Sequence, residues 1–141
     1  FEKAMFIHIH ELRVRYSESD RMGTFYNSRL LEWMEVGRTE LLRAAGYPYI
    51  EWENKGLMAP IVESHLKFKG RAGYDDLLRI ETRFSRESRA RLRFDTRVCL
   101  ADSDVTVAEG WTIHALINPE GKPMRIPEWV DDLINGDEEN E

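Results

Sequence analysis

The chain of 141 residues, 42% hydrophobic and 33% charged, has the size and composition of one globular domain with a single core. Its formal net charge of -6 argues against a nucleic-acid partner, because phosphate contacts require an excess of Lys and Arg on one surface. Its sequence contains no run of about 20 apolar residues that could cross a membrane, and its single cysteine, Cys99, cannot form an internal disulfide. We therefore expect a cytoplasmic protein.

The first element in chain order is a predicted strand from Phe6 to Tyr16. Apolar residues alternate with arginines in its second half, which predicts one buried face. The residues of this face are Leu12, Val14 and Tyr16. Ile7 and Ile9 have the opposite phase, and this change predicts a β-bulge near His10 or a different packing surface for that end of the strand.

A long helix is predicted to follow a polar loop over residues 17–27. Its apolar positions recur at helical spacing and are Leu30, Leu31, Met34, Gly37, Leu41, Leu42 and Ala45. Ser28 or Asn27 can cap its start, and a glycine and a proline shortly after residue 45 should end it. Gly37 lowers the helix propensity by about 1 kcal/mol, which indicates that a backbone packs closely against it.

Four further strands are predicted after the helix, because apolar and polar residues alternate along each of them. They end near Lys69, Phe84, Leu100 and Ile117. The apolar face of the last strand consists of Val107, Trp111, Ile113, Ala115 and Ile117. Hairpin-sized links join the last three strands, which predicts an antiparallel meander.

These elements predict an α+β fold in which one antiparallel sheet of about five strands wraps round a long central helix. No second helix is predicted, so the other face of the sheet must meet water or a second subunit. Arginines interleaved with acidic residues on the fourth strand are interpreted as part of that outer face. The whole chain, 1–141, is expected to be one domain with a core at about 6–127 and an acidic tail at 131–141.

The order of these elements and the loop sequence YSESDRMGTFY, residues 16–26, resemble the hotdog-fold 4-hydroxybenzoyl-CoA and YbgC-like acyl-CoA thioesterases. Further stretches similar to this family are Leu31–Leu42, Arg71–Leu77 and Gly121–Pro127, so that the resemblance covers about Leu12 to Pro127. It implies hydrolysis of an acyl thioester to a free acid and coenzyme A, with coenzyme A as part of the substrate and no separate cofactor. It also implies a homodimer or homotetramer with sites between subunits. Many YbgC-like members carry a histidine where this chain has Asn27, so a different subset of catalytic groups is expected.

The same resemblance implies that Asp20 is the catalytic carboxylate. Thioester hydrolysis requires an activated oxygen nucleophile and donors directed at the oxygen that becomes negative. Asp20 precedes the predicted helix and could attack the carbonyl directly or activate a water, while unsatisfied N–H groups at the helix start polarise the carbonyl. In the alternative interpretation, Asp20 only caps a turn or the helix.

The candidate substrate-binding residues surround this aspartate and are Gly23, Phe25, Tyr26, Asn27 and Ser28. Asn27 could orient substrate or water, or serve only as a helix cap, and at least one of the two aromatic residues is expected to pack in the core. Some hotdog thioesterases use a glutamate on the helix, but Glu35, on the predicted helix, is interpreted as a solvated residue paired with Arg38. The four histidines lack metal-ligand spacing, so no metal site is expected.

Other functions are compatible with the same fold. A thioesterase could act on an acyl carrier protein instead of coenzyme A esters, and a hotdog module could bind acyl thioesters or proteins without turnover. Acyl dehydration is disfavoured, because that chemistry requires a histidine facing a carboxylate. Asp20 favours an enzyme, whereas Asn27 in place of the histidine favours a binding module.

Overall fold

The computed structural model describes residues 6–136. Its strands are β1 (Phe6–Arg13), β2 (Ile61–Phe68), β3 (Leu77–Ser88), β4 (Arg91–Leu100) and β5 (Thr106–Ala115). Its helices are α1 (Arg29–Ala44), α2 (Tyr49–Asn54) and α3 (Glu128–Ile134), preceded by a single 3₁₀ turn at Tyr16–Glu18. All five strands form one antiparallel sheet in the order β1-β3-β4-β5-β2, and α1 packs against β1 and β3. The predicted α+β hotdog architecture is confirmed.

Burial along β3 and β4 follows the predicted alternation. The buried residues of this inner face are Leu78, Ile80, Thr82 and Phe84 on β3, and Leu92, Phe94, Thr96 and Val98 on β4. Since these strands are neighbours in register, their inner side chains form a continuous buried layer under α1. The predicted antiparallel meander of β3, β4 and β5 is confirmed.

Gly37 lies where α1 comes closest to β3. A Cβ atom at position 37 would lie 2.4 Å from Oγ1 of Thr82 and 2.8 Å from Cγ2 of Ile80, closer than real Cβ atoms approach. The close approach inferred from the glycine is therefore confirmed, although the helix meets side chains of β3 and not its backbone.

The first strand differs from its prediction in length and regularity. β1 ends at Arg13 and pairs with β3 without a register shift, so the predicted bulge near His10 is wrong. Ile7 and Ile9 instead lie exposed on a regular edge strand. Tyr16, predicted to be buried, lies in the 3₁₀ turn and is 78% exposed, because the chain leaves the sheet before reaching it.

The face assignment of the last strand is also corrected. The inner face of β5 carries Ala108, Gly110, Thr112 and His114, which pair with the inner residues of β4. A Cβ atom at Gly110 would lie only 2.1 Å from the carbonyl oxygen of His65 on β2, so position 110 has no room for a side chain. Trp111 lies on the outer face, where it stacks on His65 and on the guanidinium of Arg93. Of the predicted apolar face, Val107 and Ile113 are buried, whereas Trp111 and Ala115 are only partly buried, so the apolar alternation alone did not identify the inner face.

The prediction of no second helix is wrong, because α2 and α3 both exist. Both are too short, at 6 and 7 residues, to show a clear helical period in the sequence. In α3, Val130 and Ile134 are buried, so the core extends beyond residue 127 and residues 131–134 are not a tail. The remaining tail prediction, at 137–141, lies outside the described residues.

The outer face of the sheet carries the predicted alternation of basic and acidic residues. Arg93 pairs with Asp95 at 3.0 Å, and Arg79 and Arg97 both pair with Glu81, at 2.9 and 3.2 Å. Within residues 6–136, no helix has the length and apolar character that crossing a membrane requires.

Candidate active site

Asp20 opens a tight turn in the loop between β1 and α1. Its Oδ1 accepts hydrogen bonds from the backbone N–H groups of Met22, at 2.8 Å, and Thr24, at 3.2 Å. Its own N–H donates to the Thr24 carbonyl at 2.6 Å, and Gly23 completes the turn with a φ of 81°. The carboxylate is therefore fixed through one oxygen, while Oδ2 has no hydrogen bond to the residues that the structure describes. Turn capping, the alternative interpretation of Asp20, is present, and it leaves the second oxygen available for chemistry.

A second segment holds this turn in place from outside. Oγ1 of Thr24 accepts a hydrogen bond from the N–H of Ala72 at 3.2 Å and lies 3.3 Å from the Ala72 carbonyl oxygen. Arg71 donates to the Met22 carbonyl. A Cβ atom at Gly73 would lie 2.5 Å from the Gly23 carbonyl oxygen, so the two backbones are in contact. Two stretches that carried the family resemblance, the Asp20 loop and Arg71–Leu77, thus fit against each other.

Glu18 anchors the loop to the helix from inside. Its buried carboxylate accepts hydrogen bonds from the N–H of Arg15 at 2.7 Å and from the indole Nε1 of Trp33 at 3.1 Å. Burial by itself would raise the pKa of Glu18, but the bonds from Arg15 and Trp33 outweigh it and the pKa is lowered. Sequence reasoning missed this residue, because the spacing between Glu18 and Trp33 shows no local pattern.

The two aromatic residues among the candidate substrate-binding residues lie in different environments. Phe25 is buried, with its ring centroid 4.7 Å from that of Trp33 and 6.1 Å from that of Phe68. Tyr26 is 47% exposed. The expectation that at least one of them packs in the core is confirmed, and Tyr26 is the one whose ring is accessible to a substrate.

The start of α1 is capped differently from the prediction. Ser28 occupies the N-cap position without a side-chain capping bond, so the expected Ser28 cap is wrong. The N–H groups of Arg29 and Leu30 instead donate to the carbonyls of Tyr26 and Asn27, at 2.9 and 3.2 Å. The backbone N–H groups of Asn27 and Ser28 donate no hydrogen bond within residues 6–136, and both residues are exposed. These two N–H groups are therefore free donors beside the helix start.

Glu35 is exposed on α1, as predicted, but the predicted pair with Arg38 is absent from the described part of the chain. Glu35 lines two pockets, one beside Glu18 and Trp33 and one beside Arg38 and His114. Asp20 lines neither of them. The partly buried Asp20 carboxylate therefore lies at the surface of the single chain.

The arrangement offers an oriented carboxylate and two free N–H donors within one short loop. A carboxylate with one free oxygen can accept a proton from water or attack an electrophilic carbon. N–H groups at a helix start can stabilise an oxyanion. These are the groups that acyl transfer from a thioester requires.

Known proteins resemble this chain along most of its length. Residues 14–134 match the family model of the thioesterase-like superfamily. YneP of Bacillus subtilis, named as a candidate acyl-CoA thioesterase, is 39% identical over 72 residues, 51% of this chain and 52% of YneP. The acyl-CoA thioesterase YbgC of Haemophilus influenzae is 31% identical over 88 residues, 62% of this chain and 65% of YbgC.

A solved structure extends this likeness to the fold. The crystal structure of a hypothetical protein, TT1821, from Thermus thermophilus superposes with a TM-score of 0.83 at 31% identity, over 92% of this chain and 96% of that protein. The matched regions span about half to two thirds of the length of the two curated relatives.

Proposed function

The chain belongs to the thioesterase-like superfamily, and from this premise we propose that it is an acyl-CoA thioesterase. Water and an acyl thioester would react to give a free acid and coenzyme A, with Asp20 supplying the reacting carboxylate. The observation that carries the proposal is the Asp20 turn, in which Oδ1 is held by two N–H groups and Oδ2 stays free. The relatives named for acyl-CoA thioesterase activity support the same reaction.

Two mechanisms for Asp20 give the same overall reaction. As a general base, Oδ2 accepts a proton from water while the water oxygen bonds to the thioester carbon. As a nucleophile, Oδ2 bonds to that carbon itself and water then hydrolyses the anhydride. In both routes the carbon–sulfur bond breaks and the thiolate leaves, to be protonated as coenzyme A.

The backbone N–H groups of Asn27 and Ser28 are proposed as the oxyanion donors. They are exposed and donate no hydrogen bond within residues 6–136, and the positive end of the α1 dipole lies beside them. Gly23 permits the turn, Tyr26 offers an exposed ring to the substrate, and buried Phe25 supports the loop from below. A backbone donor does not depend on the side chain at position 27, so this role is compatible with Asn27.

We further expect the working form to be a homodimer or homotetramer. β2 is an edge strand, paired only with β5 in the described sheet, and its exposed apolar residues are Ile61, Val62 and Phe68. A second copy that covers this edge would satisfy its backbone groups and bury these side chains. The single buried thiol of Cys99 is compatible with a cytoplasmic location.

Thiol release from short, long and aromatic acyl-CoAs tests the reaction, with the wild type compared with Asp20→Asn. The amide keeps the size of the side chain and an oxygen that can accept the two turn hydrogen bonds, but removes the charge. We expect kcat/KM to fall by about 100-fold or more, the scale of a catalytic carboxylate. Asp102→Asn, an exposed aspartate in the β4–β5 turn, is the matched control and should retain full activity.

The other outcomes select among the alternatives. Release only from acyl carrier protein thioesters would identify a carrier-protein thioesterase. Binding of acyl thioesters without release would identify a non-catalytic module. Activity that survives in Asp20→Asn would contradict the role of this carboxylate and direct the search to Glu35.

A further inference from the structure

The edge strand β1 carries two histidines on the face that it turns toward α1. His8 lies opposite Thr82 of β3. His10 lies opposite Ile80 of the same strand. Thr82 and Ile80 are buried on the inner face of the sheet, and residues directly opposite each other in an antiparallel pair share one face. Both histidines, each partly buried, therefore lie on the inner face beside the helix.

This arrangement reverses the ordinary pattern of an antiparallel strand. Ile7 and Ile9 are 52% and 55% exposed on the outer face, while two ionisable rings occupy the inner positions 8 and 10. A strand with one buried face ordinarily directs its apolar side chains inward and its polar ones outward. Hydrophobic packing therefore does not account for the pair of histidines.

The two imidazole rings lie side by side, with their centroids 6.5 Å apart and their planes at 21°. Two imidazoles bound to one tetrahedral ion have centroids roughly 5 Å apart, given the metal–nitrogen distances of zinc sites. Nδ1 of His8 is buried and has no hydrogen-bond partner within residues 6–136, so no bond at that nitrogen fixes the ring. Side-chain rotation can therefore bring both rings to one ion and relieve the unpaired nitrogen.

The helix α1 brings a carboxylate, Glu40, to the same place. Burial and the neighbouring His10 lower the pKa of His8, the Glu40 carboxylate opposes them, and the pKa is lowered overall. His8 is thus neutral at pH 7, the form in which an imidazole binds a metal. The present partner of Glu40 is Arg43, at 3.3 Å in a largely exposed ion pair, which costs little to break.

We propose that His8, His10 and Glu40 form a binding site for a divalent transition-metal ion with the ligand preference of Zn²⁺, which joins the edge strand β1 to α1. Two histidines and one carboxylate are a ligand set that Zn²⁺ uses, with water in the fourth position. Imidazole nitrogens favour Zn²⁺ over Mg²⁺, which prefers oxygen ligands. The proposal departs from the sequence-based expectation of no metal site, because Glu40 is distant from the histidines in the sequence.

A second group of ligand-type side chains, Glu81, Cys99 and Asp104, lies near the outer face of the sheet. Arg79 and Arg97 both pair with Glu81, and Arg79 also pairs with Asp104. These guanidinium groups already neutralise the carboxylates that a cation would require, so this group is a weaker candidate.

The proposed metal site is independent of the proposed hydrolysis. The histidines belong neither to the Asp20 turn nor to the segment Arg71–Leu77, so metal binding can be measured without turnover. β1 and β2 are opposite edges of the sheet, so a second copy that covers β2 would leave the histidines accessible.

The test is titration of the untagged full chain with Zn²⁺, followed by calorimetry and by the imidazole C–H signals of the four histidines in NMR spectra. We expect saturable binding of one ion per chain, with changes in the signals of His8 and His10. The signals of His65 and His114 should stay in place. Mg²⁺ at the same concentration should change none of the four.

Single substitutions locate the ligands. His8→Gln and Glu40→Gln should each lower the affinity for Zn²⁺ by about tenfold or more, because each removes one ligand. His65→Gln, at an exposed histidine of β2, is the control for the first variant and should bind as the wild type. Glu32→Gln is the control for the second, because Glu32 is exposed on the same helix and is likewise paired three residues away, with Arg29.

Thermal unfolding separates binding from folding. Zn²⁺ should raise the melting temperature of the wild type, since an ion that binds only the folded chain stabilises it. It should not raise that of His10→Gln, whose metal-free unfolding shows whether this variant folds. The proposal would be overturned by the absence of saturable Zn²⁺ binding, by Mg²⁺ binding of equal affinity, by unchanged Zn²⁺ affinity in both His8→Gln and His10→Gln, or by signal changes confined to His65 and His114.

Discussion

Apolar clusters pack at both ends of the inner face of the sheet, but the loop end adds side-chain hydrogen bonds that fix the path of the chain. At the loop end, Glu18 accepts a hydrogen bond from Trp33, Asp20 accepts hydrogen bonds within its own turn, and Thr24 accepts one from the N–H of Ala72. At the opposite end, which we call the aromatic end, α2 and α3 close the core mainly with apolar side chains, among which aromatic rings are in contact. Its members are Trp52, Phe84, Phe94 and Trp129, with centroid separations of 4.6–6.4 Å between successive contacts.

This difference predicts that the loop end determines activity and the aromatic end determines stability. Hydrogen bonds have strict directions, so the loop end can hold a carboxylate and two N–H donors in fixed positions. Apolar packing has little directional preference but contributes most of the free energy of folding. Substitutions at the loop end should therefore change activity more than stability, and substitutions at the aromatic end should do the reverse.

The largest effect on stability is expected for Phe84→Ala at the aromatic end. Phe84 is fully buried and stacks on Phe94 at 4.6 Å, so truncation should lower the free energy of unfolding by about 3–5 kcal/mol. Urea denaturation followed by circular dichroism measures this loss. Thiol release per folded molecule should stay near wild type, and Ile9→Ala, at an exposed position, should change stability little. A Phe84→Ala loss below about 1 kcal/mol would contradict the assignment of stability to this end.

Glu18→Gln should have the next largest effect, because one of the donors around the buried carboxylate loses its acceptor. We expect a loss of about 1–3 kcal/mol at pH 7, measured by urea denaturation. The folded-state pKa of Glu18 is lowered, so its charge stabilises the fold above its ordinary pKa of about 4.3, and this contribution disappears as the pH falls through the lower folded value. The difference between wild type and variant should therefore shrink below about pH 4.

The exposed Glu51 provides the control for that pH dependence. Glu51→Gln should leave the unfolding curve unchanged at both pH values. A Glu18→Gln variant as stable as wild type at pH 7 would show that the buried carboxylate does not anchor the loop.

Gly73→Ala should displace the Asp20 turn without altering a catalytic group. The new Cβ would lie 2.5 Å from the Gly23 carbonyl oxygen, a backbone atom that must move. A shift of the turn by a fraction of an ångström or more should reduce kcat/KM by roughly 10- to 100-fold, with a modest loss of stability. Gly136→Ala, where a Cβ meets open space, is the control. Full activity in Gly73→Ala would mean that the segment Arg71–Leu77 does not position Asp20.

The smallest effect is expected for Ser28→Ala. N-cap serines ordinarily contribute about 1 kcal/mol through their side chains, but Ser28 makes no such bond here, so the free energy of unfolding should change by less than about 0.5 kcal/mol. Thermal unfolding is a sufficient measurement. If the proposed oxyanion donor is the backbone N–H of Ser28, kcat/KM should also be preserved, and a large loss would implicate the hydroxyl instead.

The sequence predicted the parts of this molecule that depend on regular periodicity. The long helix, the β3–β4–β5 meander and the close approach at Gly37 all follow from residue patterns within one element. The 3₁₀ turn, α2 and α3 were missed, because a few residues are too short to display a period. The inner face of β5 was misassigned, because the space beside Gly110 is set by β2, which is distant in the sequence.

The candidate site was likewise only partly predictable from the sequence. The motif around Asp20 was recognisable in the sequence, whereas the contacts that hold it were not. Glu18 and Trp33 are 15 residues apart, and Thr24 and Ala72 are 48 apart, so only the folded chain brings them together. Arg38 was interpreted from the sequence as the partner of a solvated Glu35, whereas its Nη1 is buried in the structure.

The separate roles of the loop end and the aromatic end are tested most directly by measuring kcat/KM and urea unfolding on the same preparations of Asp20→Asn and Phe84→Ala. We predict that Asp20→Asn loses about 100-fold or more in kcat/KM with a free energy of unfolding within about 1 kcal/mol of wild type. Phe84→Ala should keep kcat/KM per folded molecule and lose about 3–5 kcal/mol of stability. An Asp20→Asn variant that is as active as wild type, or inactive only because it is unfolded, would contradict the account.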